Sequence, residues 1–365
     1  MNLDNFHALA YDTLCQLIAT PSLSREEKHT ADLLQNTLEA QGWTCQRKGN
    51  NVWVKSRHWR ADQPTVLLNS HHDTVKPAQG WQRNPFEPLE ENGCLYGLGS
   101  NDAGAALCCL MGSFLALAEE ESLGINLIFA ATAEEEISGS NGIASILEEL
   151  GSVDLAIVGE PTQMRMAIAE KGLMVIDAEA KGQAGHAARE EGVNALYIAL
   201  EDIDRIRTHQ FEKVSELLGP VKMSVTQIQA GHQHNVVPDR CQFVIDIRSN
   251  EHYSNEEIFQ QLQSMLSSEL KARSFRLSSS GISPTHPLVQ AGQAMGLAAF
   301  GSPTLSDQAL LPFTSLKIGP GQSARSHTAD EFIRLDELRQ GLELYVQLIQ
   351  NYAVRMAQPQ TIPSL

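Results

Sequence analysis

The sequence predicts an α/β protein: a mostly parallel mixed sheet with helices on both faces, interrupted by an inserted ferredoxin-like α+β domain. Three observations carry this expectation. Short, almost wholly apolar runs at 65–69, 125–132 and 153–158 alternate with helical patterns, as buried parallel strands do. From Leu173 to Lys181 the texture changes to strict alternation, Met174, Ile176, Ala178 and Ala180 against Val175, Asp177, Glu179 and Lys181, which describes a sheet with one covered face. After Pro284 and Pro287 the buried helix-and-strand texture returns.

At 365 residues the chain exceeds one ordinary core, so two domains are expected. The boundaries fall at 1–172 with 280–357 for a discontinuous catalytic domain and at 173–279 for the insert, and 358–365 reads as a frayed tail. Taken in order, residues 5–19 show helical periodicity that Pro21 ends, and Ser24-Arg25-Glu26-Glu27 has the form of a capping box before a second helix reaching Gly42. Strands are expected at 51–54 and 65–69, a long surface loop at 76–94, a buried helix at 103–118, a strand at 125–132, a helix at 143–150 and a strand at 153–158. Within the insert the order is a strand at 173–181, a helix at 193–207, strands at 222–229 and 241–248, a helix at 254–270 and a strand at 273–278. That is the β-α-β-β-α-β arrangement. A strand at 316–318 and an amphipathic helix at 335–352 close the chain.

The net charge of −17 excludes a basic stripe for nucleic acid or an anionic membrane. Neither a basic n-region with an apolar run nor an apolar stretch approaching about 18 residues is present, so a soluble, cytoplasmic protein is expected. Six cysteines without a Cys-x-x-Cys pattern read as reduced thiols; Cys15, Cys45, Cys108 and Cys241 lie in apolar or amphipathic contexts.

Chemistry-bearing residues gather where the expected strands end. Ser70-His71-His72-Asp73 follows the 65–69 run, and on an extended segment His71 and Asp73 face the same side. A metal-binding His needs its other ring nitrogen oriented, which Asp73 could do; the bland reading is a polar turn. Asp102, in Gly99-Ser100-Asn101-Asp102, is either the N-cap of the buried helix or a carboxylate able to bridge two cations. Glu134-Glu135-Glu136 is either a solvated face or an acid cluster at the end of a core strand, where repulsion would be costly without cations. Gly159-Glu160-Pro161-Thr162 ends the third strand, and Ser326-His327-Thr328 follows the 316–318 strand. If His71, Asp102, Glu136, Glu160 and His327 are ligands, then with one bridging hydroxide they carry four negative charges, the complement of two divalent cations. Oxygen and imidazole donors without thiolate suit Zn, with Co or Mn as alternatives, in an open catalytic site. Glu135 would remain as proton shuttle.

This ordered set resembles the co-catalytic metallopeptidase family, M20-type, that includes acetylornithine deacetylase, succinyl-diaminopimelate desuccinylase, aminoacylase and carboxypeptidase G2, and the similarity spans nearly the whole chain. The resemblance implies that Asp102 bridges two metal ions, that His71 and Glu160 complete one site and Glu136 and His327 the other, that Asp73 supports the ligands, and that Glu135 is the general base. It further implies a cis peptide between Asp102 and Ala103. The insert is similar to the family's lid and dimerisation domain. Gly185-His186-Ala187-Ala188 matches the motif whose His reaches the partner subunit's site in a homodimer; a capped helix N-terminus is the bland alternative for His186. Asn235 and Arg248 match contacts to the substrate carboxylate and oxyanion. Arg189 departs from the pattern, where many relatives carry Pro. Lys48-Gly49-Asn50-Asn51-Val52-Trp53, Asn69-Ser70-His71 and Gly301-Ser302-Pro303-Thr304-Leu305-Ser306-Asp307 look most like the shorter arginine-biosynthetic deacylases acting on N-acetyl- or N-succinyl-ornithine or citrulline. Succinyl-diaminopimelate desuccinylase, aminoacylase or dipeptidase activity with the same site is the alternative among enzymes. A metal-free binding protein that kept the fold is the alternative from another class, and the intact ligand set with Glu135 speaks against it.

Overall fold

The computed structural model describes residues 2–189 and 191–357. The tail expected at 358–365 lies outside the described residues. The chain divides into two compact units, one taking in the chain up to Ile168, Ile282–Phe300 and the chain from Ser306, the other Ala169–Gly281 and Gly301–Leu305.

The first unit is built on a mixed sheet. Its strands lie in the order Gln46–Lys48, Asn51–Lys55, Asn126–Thr132, Thr65–His71, Leu155–Val158, Ser315–Lys317 and Met166–Glu170. Thr65–His71 runs parallel to both of its neighbours, and every one of its seven residues is buried. That explains the apolar stretch of Val66, Leu67 and Leu68: a strand covered on both faces has no solvent side, and the polar residues at its C-terminal end, Asn69, Ser70 and His71, are buried as well. Helix Ala105–Leu117 is buried along its whole length and packs with Asp4–Ile18 and Leu335–Ala357 around the core containing Leu14, Phe114, Phe129 and Tyr345. Among the described residues, Ser100–Leu117 is the one helical stretch long and apolar enough to cross a membrane, and 94% of it is buried inside the fold, as a core helix is.

Several elements differ from the sequence expectation for identifiable reasons. Ser24 and Glu27 form no capping box. Helix Lys28–Ala40 has Glu27 at its N-cap without a side-chain cap, because the Ser24 hydroxyl donates instead to Asp73, 2.7 Å away. The Glu27 carboxylate is buried and accepts from Asn50 Nδ2 and the Glu134 amide. The helix expected at 143–150 is a 3₁₀ turn at Ile143–Ser145 followed by a single turn at Leu147–Leu150. Asn51 and Lys48 bind the carbonyls of Asn141 and Ser145, which diverts acceptors that a continuous helix would use. The loop expected at 76–94 ends in a hairpin, Leu89–Glu91 with Cys94–Tyr96. Its turn residues Asn92 and Gly93 both have positive φ, 53° and 73°, the Asn-Gly hairpin signal.

The second unit has the ferredoxin-like topology. Its sheet order is Lys222–Ala230, Arg240–Arg248, Met174–Lys181, Glu269–Ala272, antiparallel throughout. Helices Ala195–Thr208 and Asn255–Met265 share its core with Ile176, Phe243, Ile245 and Leu262. The helix ends at Met265 instead of 270, and the last strand lies at Glu269–Ala272 instead of 273–278. Asp202, fully buried, accepts from the amides of Ser267 and Ser268 and from the Ser268 hydroxyl at 2.7–3.0 Å. Those amides cannot continue the helix, so the strand begins early.

Candidate metal centre

The three parallel strands Asn126–Thr132, Thr65–His71 and Leu155–Val158 are adjacent, with His71 opposite Thr132 and Asn69 opposite Val158. Their C-terminal ends therefore deliver His71, the acid turn 134–136 and Glu160 to one edge of the sheet. His71 is 1% exposed. Its Nδ1–H donates to the Asp73 carbonyl at 3.0 Å, which turns Nε2 toward the acids at the sheet edge. That atom is buried without a hydrogen-bond partner. It faces Asp102 Oδ1 at 3.5 Å, Glu160 Oε1 at 3.7 Å and Glu135 Oε2 at 3.9 Å.

The Asp73 carboxylate stands by the imidazole as expected, Oδ1 lying 3.4 Å from His71 Nδ1 beside the shorter bond to the backbone carbonyl, and it has a second task. Its Oδ1 accepts from the Glu135 amide at 3.0 Å, and its Oδ2 from the Glu136 amide at 3.2 Å and the Ser24 hydroxyl. Asp73 thus holds the acid turn in place. Glu134, at φ 57°, turns away to accept from the amide and side chain of Asn141. Glu135 and Glu136 are left with side chains only 12% and 6% exposed.

Asp102 is not a helix cap. The cap position belongs to Gly104, and the Asp102–Ala103 peptide is cis, as the resemblance implies. The Asp102 carboxylate lies between His71 and His327, whose Nε2 is 3.6 Å from Oδ2. His327 Nε2–H donates to Glu136 Oε2 at 2.9 Å. The turn carrying Asp102 hangs on Glu331, 2% exposed, which accepts from the amides of Gly99, Asn101 and Asp102 at 2.9–3.2 Å.

This much buried acid is electrostatically uncomfortable. Burial pushes the carboxyls of Glu135 and Glu160 well above the ordinary range, with His71 partly offsetting it, and pushes Glu331 up to about 8. Burial works against a charged His71, yet Glu135, Asp102, Asp73 and Glu160 outweigh it and raise the imidazole well above its usual value. The hydrogen bond to Glu136 lifts His327 to about 9. A buried imidazole nitrogen without a hydrogen-bond partner, facing several carboxylate oxygens, is an arrangement that a divalent cation satisfies by displacing the imidazole proton. Two sets of potential ligand atoms, each mutually within 4.8 Å, are His71, Asp102 and Glu136, and His71, Glu135 and Glu160. The residues present therefore fit divalent metal. The five expected ligands share this locality, and Glu135 stands closer to His71 than a purely remote base would.

His186, Asn235 and Arg248 belong to the second unit. His186 lies opposite Val236 in a two-stranded ladder, and the Asn235 carbonyl accepts from the Ala187 amide. The His186 Nδ1 accepts from the Ala188 amide at 3.1 Å, so its proton resides on Nε2. The Arg189 amide donates to the His186 carbonyl at 2.9 Å, a turn-closing bond that proline could not make. The Arg248 guanidinium is bidentate to Asp246 at 2.9 and 3.1 Å.

Sequence reasoning missed four residues around the first unit's site: Ser24, Glu27, Glu331 and Asp307. Asp307 is 3% exposed and accepts from Asn69 Nδ2 at 2.9 Å and Thr132 Oγ1 at 2.8 Å. A signal existed for Glu331, an acid four residues beyond His327. For Ser24 the capping-box pattern pointed elsewhere.

The sequence profile of peptidase family M20/M25/M40 matches residues 67–351. The chain belongs to that family and is a metal-dependent amidohydrolase. It is 25% identical over 374 aligned residues to a succinyl-diaminopimelate desuccinylase of Xanthomonas oryzae pv. oryzae, covering 94% of this chain and 98% of that protein. It is 28% identical to an acetylornithine deacetylase of Proteus mirabilis, covering 93% and 95%. Among solved structures, a Bacillus subtilis dinuclear metal binding peptidase from the M20 family shares the fold with a TM-score of 0.72 at 16% identity, covering 95% of this chain and 98% of that one.

Proposed function

We propose that the protein is a dinuclear metal-dependent deacylase that hydrolyses the amide bond of an N-acyl-L-amino acid, N-acetyl- or N-succinyl-ornithine or citrulline, in arginine biosynthesis. The observation that carries this reading is the unpartnered Nε2 of His71 facing the carboxylates of Asp102, Glu135 and Glu160. In it, His71, Asp102, Glu136, Glu160 and His327 would hold two divalent ions, Zn before Co or Mn. Bound there, the ions would acidify a water and polarise the scissile carbonyl.

The chain's own residues supply the rest. Glu135, mostly buried and pushed up by that burial, is suited to taking a proton from the attacking water and giving it to the departing amine nitrogen. Asp73 fixes the backbone of Glu135 and so the reach of its carboxyl. His186, with its proton on Nε2, is suited to donate to the developing oxyanion, from the partner subunit of a homodimer. Arg248, whose Nε and Nη2 are held by Asp246, keeps the outer Nη1 side of its guanidinium for a substrate carboxylate, and Asn235 offers a further polar contact.

A second reading, succinyl-diaminopimelate desuccinylase, is supported by relatives of that name at 25–26% identity. Amine release from a panel crossing acetyl and succinyl groups with ornithine, citrulline and diaminopimelate separates the two. Preference for an ornithine or citrulline substrate is expected. Preference for N-succinyl-diaminopimelate would favour the second reading, and full turnover after complete metal removal would refute both.

A further inference from the structure

The mechanism above leaves Asp307 unused, a fully enclosed carboxyl whose burial pushes it up to about 6. Burying an acid in a protein that already crowds acids at one sheet edge is unfavourable unless it is bonded. Its bonds are selective. One oxygen, Oδ2, accepts from both Asn69 Nδ2 and Thr132 Oγ1. Asn69 lies two residues before His71 on the central strand, so the two side chains share a side of the sheet. Thr132 is the last residue of the strand that leads into Glu134–Glu136, and its hydroxyl also lies 3.3 Å from Asn69 Oδ1.

The parallel ladder between these strands stops here. His72 N–H to the Thr132 carbonyl, at 2.9 Å, is the bond at its end, and past it both chains leave the sheet. Asp307 itself stands on a braced turn: it opens the 3₁₀ segment Asp307–Leu310, where Gln308 Nε2 donates to Ser315 Oγ at 2.9 Å. A fixed acceptor therefore ties the two departing chains at the point where backbone pairing gives out.

We infer that Asp307 is a positioning residue of the hydrolytic site, its shared oxygen clamping the strand end that carries His71 to the strand end that carries Glu135 and Glu136. It touches neither substrate nor the reacting atoms and acts through Asn69 and Thr132. Such outer partners are worth about ten- to a hundredfold in activity or metal affinity.

The test compares Asp307→Ala, which removes the clamp, with Asp307→Asn, whose amide oxygen can accept from the same two donors. The Ala variant should lose about tenfold or more in kcat with KM within about twofold, and the Asn variant should recover to within about threefold of wild type. Replacing the metal with Co(II) adds a readout independent of turnover: the visible absorption bands should shift in the Ala variant and return in the Asn variant. Wild-type kcat and bands in the Ala variant, or an Asn variant as impaired as Ala, would overturn the clamp. Should Asp307→Ala not fold, Thr132→Val removes one donor isosterically; a several-fold fall in kcat is expected, and an unchanged kcat and spectrum overturns the inference. The inference rests on the hydrolytic reading, and the two fail separately. A wild-type protein releasing no amine refutes the reading, while the Co(II) spectra judge Asp307 without substrate.

Discussion

Replacing Asp73 by Asn keeps shape and volume while removing one acceptor, so its cost can be worked out bond by bond. The carboxylate accepts from Glu135 N on one oxygen and from Glu136 N and Ser24 Oγ on the other, in a site 1% exposed. With the amide oxygen placed toward Glu135 N, the new NH₂ confronts the Glu136 N–H, while the Ser24 hydroxyl can rotate to accept from it. The reverse orientation loses the Glu135 bond and points NH₂ at the His71 Nδ1–H side, so the first is cheaper. It orphans one buried N–H, at about 1–3 kcal/mol, and turns a charge-assisted bond into a neutral one, at about 1 kcal/mol more. The expected loss is on the order of 2–4 kcal/mol. Because the orphaned amide belongs to Glu136, metal affinity should fall about ten- to a hundredfold. All four tryptophans, Trp43, Trp53, Trp59 and Trp81, lie in the first unit, so urea unfolding followed by tryptophan fluorescence reports the unit that contains the change. Zn titration against a chromophoric chelator reads the affinity. The pH dependence has a definite sign. Burial works to raise the Asp73 carboxyl, but His71 and Ser24 hold it below its ordinary value. A depressed folded pKa gives stability that is present above about 3.8 and lost as pH falls through the folded value. The gap between wild type and Asp73→Asn should therefore narrow as pH drops below about 4. An Asn variant with wild-type stability and metal affinity at neutral pH would show that Asp73 does not hold the acid turn.

Glu135→Gln should retain metal and lose roughly a hundredfold or more in kcat, whereas Glu136→Gln should lose metal first; calorimetric metal titration beside initial rates distinguishes them, and exchanged phenotypes would reverse the assignment. In chelated protein, burial raises Glu135, Glu136 and Glu160, and raises Glu331 to about 8. Raised folded pKa values give stability that is present below about 4.5 and lost as pH climbs toward 8, and the raised His327, at about 9, acts in the same sense above about 6.5. The melting temperature of chelated protein should fall between pH 5 and 8 while the Zn-loaded protein changes less; a rising trend in the chelated sample contradicts the burial argument. His186→Ala should cost on the order of a hundredfold in rate without metal loss. Mixing it with Glu135→Gln should restore activity on subunit exchange if His186 acts across a dimer, and demonstrated mixed dimers without activity would remove it from the partner's site.

What could be read in the sequence was whatever depends on short-range pattern. The apolar stretch of Val66, Leu67 and Leu68 within Thr65–His71 announces a strand covered on both faces, and chemistry-bearing residues placed directly after such runs announce a charged sheet edge. The alternation of Met174–Lys181 likewise announces a one-sided sheet. What escaped is decided by partners distant in the chain. Ser24 and Glu27 satisfy a local capping rule, yet Asp73, 49 residues from Ser24, claims the serine. Asp202 lies 65 residues before the amides that stop helix Asn255–Met265. Glu331 and Asp307 stand in stretches with no periodicity to mark them, and their bonds reach back 229 and 238 residues. The Asn92-Gly93 hairpin is a different kind of miss, since its signal was local and was absorbed into a long loop.

The arrangement of three neighbouring parallel strands makes the backbone itself a ruler. Chains in a ladder stand about 4.8 Å apart and advance about 3.3 Å per residue, distances set by peptide hydrogen bonds whatever side chains the strands carry. His71 on the middle strand has Glu135 and Glu136 beyond one neighbour and Glu160 beyond the other, so the gauge between the acids is inherited from the sheet. Mutations elsewhere that reshape loops or surface leave the gauge untouched, which lets the chain drift far in sequence without losing it. A slip of one residue in the middle strand is another matter: it would carry His71 one step along the sheet and turn it to the opposite face in a single event.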